Sequence, residues 1–490
     1  MNTQRREIAI IGAGISGIRT AYLLAKNSPN NIQKIVIFDK SETIGGVLKN
    51  TCINNYRLEH GAQGVLLSRS SFWNCLKDVQ LENSVLLPPK KANTRYILTP
   101  NHCVAITPNI FNLRKNGLLR FRDLFRILAE IFIKKPTHSN MNDTLYTFFS
   151  RHFGKKFTDS FLVSLTFGIW GGGAKKILVR HAFPKLINLE NGYGSLLKGL
   201  FFNFCRSKLT KEKKPDSHKG LGSFELGMHH LVQSIFNELV KECKHKNIEI
   251  EVKLKTNVQN ITKISENIFI EFCEDKLLKK LAFHSVIYTG QPWRDQNLAF
   301  MVDNINYEEL QKALEVLKTI ESHSIAVVGL GTKERNQESP NGFGALAGEW
   351  SKDILGVIFV HSTYPKHAPE NSCLFRVLIG GDRNIKVIEK NDSELIHIAK
   401  ARLLETNIVT HQLNYDFEHV IKWENYIPLA TVKQDKIMES IWKIEAIMPG
   451  LFFAGNYIKG PAISDCLEQA EVVCKNVLAY HADKKNYFET

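Results

Sequence analysis

Two patterns of apolar and polar positions alternate along the chain. The first is the short apolar run that meets a glycine turn. IAIIGAGISGIRTAYLLAK reads as a buried strand from Ile8 to Ile11, a turn at Gly12-Ala13-Gly14 and a helix from about Ile15. KIVIFDK is a second strand, ending on Asp39. LFFAGNYIKGPAISDCLEQA, far down the chain, repeats the order of apolar run, Gly-Pro turn and helix. LKTNVQNI, GFGAL and CLFRVLIGG read as further strands, and SFELGMHHLVQSIFNELVK leads into a helix. The second pattern is amphipathic and basic. From Leu118 to Lys135, Phe121, Leu124, Phe125, Leu128, Ile131 and Phe132 recur at helical spacing. Arg114, Arg120, Arg122, Arg126, Lys134 and Lys135 surround them, and Ser195 to Lys214 is similar. KLTKEKKPDSHKG reads as an exposed charged loop.

Gly12, Gly14 and Gly17 form G-x-G-x-x-G between the first strand and its helix. The first glycine permits the tight turn, the second admits a pyrophosphate to the backbone, and the third lets helix and sheet pack closely. The helix start then offers free N–H groups and a positive dipole end to phosphates, which makes Ala13, Ile15 and Ser16 contact candidates. Asp39, with Lys40 beside it, ends the next strand, where a carboxylate accepts hydrogen bonds from ribose hydroxyls. A dinucleotide is expected; these residues alone leave NAD and FAD both open.

Composition narrows the class. The chain has 490 residues, enough for two or three domains, and 43% hydrophobic against 23% charged residues is a globular balance. A net charge of +15 suits nucleic acid, an anionic membrane or acidic small molecules, or reflects a lysine-rich proteome. Nine cysteines without a C-x-x-C pair argue against zinc and disulfides and for a reducing compartment. No secretory signal and no apolar run of membrane-spanning length is expected. No Ser/His/Asp or paired-carboxylate arrangement stands out, so no catalytic side chain and no metal is assigned. His229 and His230 read as surface or helix residues.

SETIGGVLKNT, with Gly45 and Gly46, and YRLEHGAQGVLLS follow the acid. This order resembles the flavoprotein superfamily of monoamine oxidases, phytoene desaturases and protoporphyrinogen oxidases. The resemblance implies FAD, with Gly61, Ala62, Gln63 and Gly64 along the flavin; Glu59 is either part of this E-x-G stretch or a surface carboxylate. It implies a discontinuous FAD domain, closed by Gly455, Asn456, Pro461, Ala462, Ile463 and Asp465, with Val258 contacting the adenine. SRHFG, GIWGG, AFPKL, NLENGYGSLL, SPNGFGALAG, LGVIFVHS, WENYIPLA and GPAISDC follow the motif order of protoporphyrinogen oxidases over nearly the whole chain. Gln63 stands where many relatives have arginine, Asn456 where many have an acid, and WENYIPLA lacks a Gln-Tyr pair.

The implied fold is α/β plus α+β: a Rossmann-like FAD-binding domain (1-85, 221-279 and 426-490), a substrate domain with a mixed sheet (86-105 and 280-425) and a helical membrane-associating insert (106-220). The implied reaction is six-electron oxidation of a porphyrinogen in haem biosynthesis. Flavin takes hydride from the saturated bridges and O2 returns it to the oxidised state, forming H2O2. Protoporphyrinogen IX is the expected substrate, with coproporphyrinogen III as the alternative. Arg95 is expected to hold a propionate, and Phe343, Leu346, Ile358 and Leu378 to wall the pocket. Core packing and a solvated arginine are the plain alternatives. An anionic membrane surface is an expected partner, at the cytoplasmic, inner face of the membrane; alternatively the two apolar stripes pack on each other. A second copy of the chain and ferrochelatase are candidate partners, and nucleic acid is not. Two rival functions remain: an amine or carotenoid oxidase of the same fold, and a non-catalytic tetrapyrrole- or flavin-binding protein.

Overall fold

The computed structural model describes residues 6–29, 31–106, 117–134, 141–209, 220–302, 307–334 and 340–482. Arg114, Lys135, residues 210–214 of the second basic segment and most of the KLTKEKKPDSHKG loop lie outside them.

A five-stranded parallel sheet is assembled from distant parts of the chain. Its order is Glu249–Lys253, Ile32–Phe38, Arg6–Ile11, Ser285–Tyr288 and Leu451–Phe453. The inner strands are apolar on both faces because helices cover one face and the other packs on a second sheet and two further helices. The Ile15–Asn27, His229–His245 and Ile463–Ala482 helices share one core with Ile8, Ile10, Ile35 and Ile37. Ala9, Val36 and Phe38 face a second core shared with a four-stranded sheet. That sheet runs Leu277–Phe283, Asn267–Glu274, Asn257–Ile264 and Ala299–Val302. The carboxyl-terminal strand and helix thus complete the unit that the first strand begins.

Two expected boundaries are corrected. Ser285–Tyr288, expected in the substrate part, is a fully buried strand of the parallel sheet, and Ala299–Val302 joins the four-stranded one. A short apolar run carries no mark of which sheet it joins, so the run alone could not place it. The boundary at 426 also fails, because Phe417–Pro428 is one continuous strand.

A seven-stranded mixed sheet forms the second layer. Its order is Phe417–Pro428, Ser322–Thr332, Cys373–Gly380, Ile354–Phe359, Gly344–Ala347, Arg95–Leu98 and Cys103–Ile106. One face packs Ala345, Val357, Phe375, Val377 and Ile379 against Leu395, Ala399 and Leu403 of the Asp392–Glu405 helix. The other face packs Val327, Leu374 and Leu378 against Tyr56 and Leu58 and against Val163 and Phe167.

Helices between residues 121 and 209 form the insert. Phe121–Ala129 is helical and tightens into a 3-10 turn at Glu130–Phe132, shorter than the expected Leu118–Lys135. Leu196–Leu209 is the second basic helix. The two apolar stripes do not bury each other. Leu124 is buried, yet Phe125 is 70% exposed, Phe132 83% and Phe201 64%; Phe121, Leu128, Ile131, Leu200, Phe202 and Phe204 are also exposed.

Candidate active site

The first glycine turn is built by contact. A Cβ on Gly12, at φ +110°, would meet Thr289 Oγ1 at 2.2 Å, and one on Gly17 would meet the Gly12 carbonyl oxygen at 1.9 Å. Gly14 is different. A Cβ there would find only the Gly46 Cα, at 3.8 Å, within 4 Å. Gly14 and Gly45 bridge in parallel, and the Gly45 N–H donates to the Ala13 carbonyl at 2.8 Å. The two glycine turns therefore meet backbone to backbone where the Ile15–Asn27 helix begins, with Ile15 and Ser16 buried in its first turn. His229 holds the second turn through its Nδ1, 2.9 Å from the Leu48 carbonyl. Sequence reasoning missed this role; its only signal is a histidine at a helix start.

Asp39 joins the turn to its strand. Its Oδ2 accepts the Ala13 N–H at 2.7 Å and its Oδ1 the Ser41 N–H at 2.7 Å. A carboxylate has about four acceptor positions, so capacity for ribose hydroxyls remains. Thr256 N–H donates to the Asp39 carbonyl, which brings the start of the Asn257–Ile264 strand, with Val258, alongside the acid. The Lys40 ammonium, on the surface, lies 2.9 Å from Asp295. Gly455 and Asn456 follow the last strand of the sheet, and the Asn456 side-chain oxygen accepts from Gln291 at 3.4 Å. Pro461 and Ala462 lead into the Ile463–Ala482 helix, whose first-turn Asp465 faces Arg69 at 3.6 Å; burial raises the Asp465 pKa.

The Glu59–Gly64 strip leaves the Tyr56–Glu59 strand and is tied to the mixed sheet. Three successive carbonyls are held by side chains of the mixed sheet: Arg376 Nε donates to Glu59 at 3.0 Å, Trp423 Nε1 to His60 at 2.9 Å, and Arg376 Nη2 to Gly61. Close packing explains its glycines. A Cβ on Gly61 would meet the Val47 carbonyl oxygen at 2.6 Å, and one on Gly64 the Gly222 carbonyl oxygen at 2.6 Å. Ala62 is partly buried, and the Gln63 amide is buried with neither its nitrogen nor its oxygen hydrogen-bonded. Glu59 is not a surface carboxylate. It is fully buried, Oε1 accepts the Met228 N–H at 2.9 Å, and Oε2 has no partner. Burial pushes its pKa up to about 8, against the opposing pull of that N–H and of Arg376.

Three of the four predicted wall residues, Leu346, Ile358 and Leu378, share one face of the mixed sheet. Leu346 lies opposite Gly356, and Gly356 opposite Leu378. Two residues along, Arg95 lies opposite Gly344, Gly344 opposite Ile358, and Ile358 opposite Arg376. Alternate residues of a strand point to one face, so Arg95, Leu346, Ile358, Arg376 and Leu378 all point the same way. That is the face tied to the Glu59–Gly61 carbonyls. Phe343 lies under Arg95, with the guanidinium 3.9 Å from its ring centroid. Arg95 itself is exposed and, among the described residues, has no carboxylate ion pair. Leu346 also meets the insert: a Cβ on Gly168 would come within 2.8 Å of it. Leu378 belongs to the apolar cluster that includes Val163 and Phe167 of the insert. A cavity of about 490 Å³ opens nearby between Phe167, Lys175, His323 and Arg383, but none of the predicted wall residues lines it.

The sequence profile of the flavin containing amine oxidoreductase family matches residues 15–478. The chain belongs to this family. It is 25% identical to protoporphyrinogen oxidase 2, chloroplastic/mitochondrial, of Arabidopsis thaliana, over 98% of this chain and 96% of that protein. It is 24% identical to the coproporphyrinogen III oxidase of Staphylococcus aureus, over 97% and 99% respectively. Among solved structures, a candidate protoporphyrinogen oxidase from Exiguobacterium sp. 255-15 superposes with a TM-score of 0.79 at 17% identity, covering 96% of this chain and 98% of that one. The protein is an FAD-dependent oxidoreductase. Its residues fit that cofactor: the bare backbone approach at Gly14 and Gly46, the spare acceptors of Asp39 and the unpartnered Gln63 amide all suit a bound dinucleotide.

Proposed function

We propose that the protein oxidises a porphyrinogen to a porphyrin, with protoporphyrinogen IX as the preferred substrate and coproporphyrinogen III as the alternative. The observation that carries this reading is the face with Leu346, Ile358 and Leu378 inside and the Arg95–Phe343 pair at its edge. A tetrapyrrole is a broad apolar disc with carboxylates on its rim, and this face matches that distribution. Full-length similarity to oxidases named for both substrates supports the class of reaction.

Gly12, Ala13, Gly14 and the second glycine pair would hold the pyrophosphate, Asp39 the ribose, and the Gly61–Gly64 strip the ring system. FAD supplies the two-electron acceptor. Arg95 binds a propionate and sets the disc's orientation. Leu346, Ile358 and Leu378 exclude water from its bridges. The test is porphyrin fluorescence in air with both porphyrinogens in parallel. A rise above autoxidation with one names the substrate; no rise with either, from protein carrying FAD, rejects the proposal.

The insert supplies a membrane-docking surface in this reading. Exposed Phe121, Phe125, Leu128, Ile131, Phe132, Phe201, Phe202 and Phe204, flanked by Arg120, Arg122, Lys134 and Arg206, suit the interface of an anionic bilayer. No helix among the described residues is long and apolar enough to cross a membrane. The inner membrane face is the proposed location. Nothing beyond the resemblance supports a second copy or ferrochelatase as partners.

A further inference from the structure

Arg376 is a guanidinium in an unusual position. It is only 3% exposed, yet among the described residues no carboxylate forms an ion pair with it. Its donors go to the Glu59 and Gly61 carbonyls. Glu59 is the acid whose field reaches it. That carboxyl is buried, with its pKa near 8, so at neutral pH it is mostly protonated and does not cancel the cation. Burial lowers the pKa of Arg376 itself only to about 10, which leaves it charged. A buried, poorly compensated charge is costly, and a backbone tether alone needs none. Trp423 makes the same kind of tether to His60 with a neutral N–H. Two residues past Gly61, the Gln63 amide is buried without a partner, so the same strip also carries unused polar capacity.

We propose that Arg376 is a positioning residue that also acts electrostatically. It fixes the Glu59–Gly64 strip and places a permanent positive charge behind it, which favours reduced over oxidised FAD. This rests on the flavin assignment for that strip. Hydride uptake breaks a substrate C–H bond and brings two electrons and one proton to the ring system, whose net charge falls by one. A fixed cation in a low-dielectric wall stabilises that product more than the oxidised form.

The experiment is a redox titration of the FAD-loaded full chain against a reference dye, with FAD affinity measured in both redox states. Three variants are compared. Arg376→Gln removes the charge but keeps an amide donor. Arg376→Lys keeps the charge with a poorer tether. Trp423→Phe removes a tether to the same strip without touching charge. The expected result is a tenfold loss of preference for reduced FAD in Arg376→Gln, which is about 30 mV lower for a two-electron couple. Arg376→Lys and Trp423→Phe should stay within twofold of the parent. An unchanged preference in Arg376→Gln, or an equal loss in Trp423→Phe, overturns the proposal and reduces Arg376 to a tether. If Arg376→Gln does not fold, a tenfold loss in Arg376→Lys overturns it equally. A parent protein that takes up no FAD fails the flavin assignment first, and the proposal with it; a loaded parent with unresponsive variants fails the proposal alone.

Discussion

Arg95 and Glu59 carry opposite lessons about charge. Arg95 is exposed, unpaired among the described residues and laid over Phe343, so its charge is available to a ligand carboxylate. Arg95→Ala should raise KM for the porphyrinogen by about tenfold or more with a smaller change in kcat, since a charged hydrogen bond is worth about 1.5–3 kcal/mol. Steady-state kinetics over a substrate series checks this. Glu59 is buried with one oxygen unpartnered. Its folded pKa, near 8, lies above the unfolded carboxylate value, so the folded state favours the proton. Its contribution is fully present below the unfolded value and is lost as pH rises through the folded one. Glu59→Gln, which cannot ionise, should therefore raise Tm relative to the parent at pH 8.5. The difference should shrink toward pH 5, and thermal melts across that range would show it. Neither environment follows from residue type, because burial and partners are tertiary properties.

At the scale of elements, the glycines of the first turn should separate by function. Gly17→Ala places a methyl against the Gly12 carbonyl, so the strand–turn–helix unit must shift and soluble folded protein should fall. Gly14→Ala meets ordinary space in the protein. It should fold with near-parent circular dichroism yet bind FAD at least tenfold more weakly, as flavin fluorescence titration would report. The insert is pinned in another way. Glu130 lies under the exposed stripe and accepts from Ser195 Oγ at 2.6 Å, Leu196 N–H at 2.6 Å, Leu197 N–H at 3.1 Å and His152 Nδ1 at 2.7 Å. Ser195 in turn caps the second basic helix by accepting the Lys198 N–H at 2.9 Å. Burial alone would raise the Glu130 pKa, but these hydrogen bonds outweigh it and hold it below the usual carboxylate value. Glu130→Ala orphans all four donors and should cost about 3–5 kcal/mol in denaturant unfolding.

At the scale of the molecule, the two stripes act together only if they lie on one surface, and Glu130 joins the turn after the first to the start of the second. The full chain should float with anionic vesicles at low salt. A Phe125→Glu, Phe132→Glu, Phe201→Glu variant should stay in solution while keeping the parent Tm, because those rings are already exposed. Flotation of the triple variant at parent level would sink the docking surface.

Local grammar was enough for much of this molecule. Gly12, Gly14, Gly17 and Asp39 announce a dinucleotide turn because tight turns, close approach and helix packing each demand glycine at a set spacing. The closing strand and helix at Leu451–Ala482 were legible for the same reason, and the ordered motifs carried the family. The register of the mixed sheet was not legible. Only strand pairing puts Arg95, Ile358 and Arg376 in one row, and only that row turns a buried arginine toward the Glu59–Gly64 strip. The same holds for Ser285–Tyr288, whose apolar residues would suit any buried strand. Short-range sterics write turns and helix starts into the chain, whereas partners hundreds of residues apart are chosen when the sheets assemble.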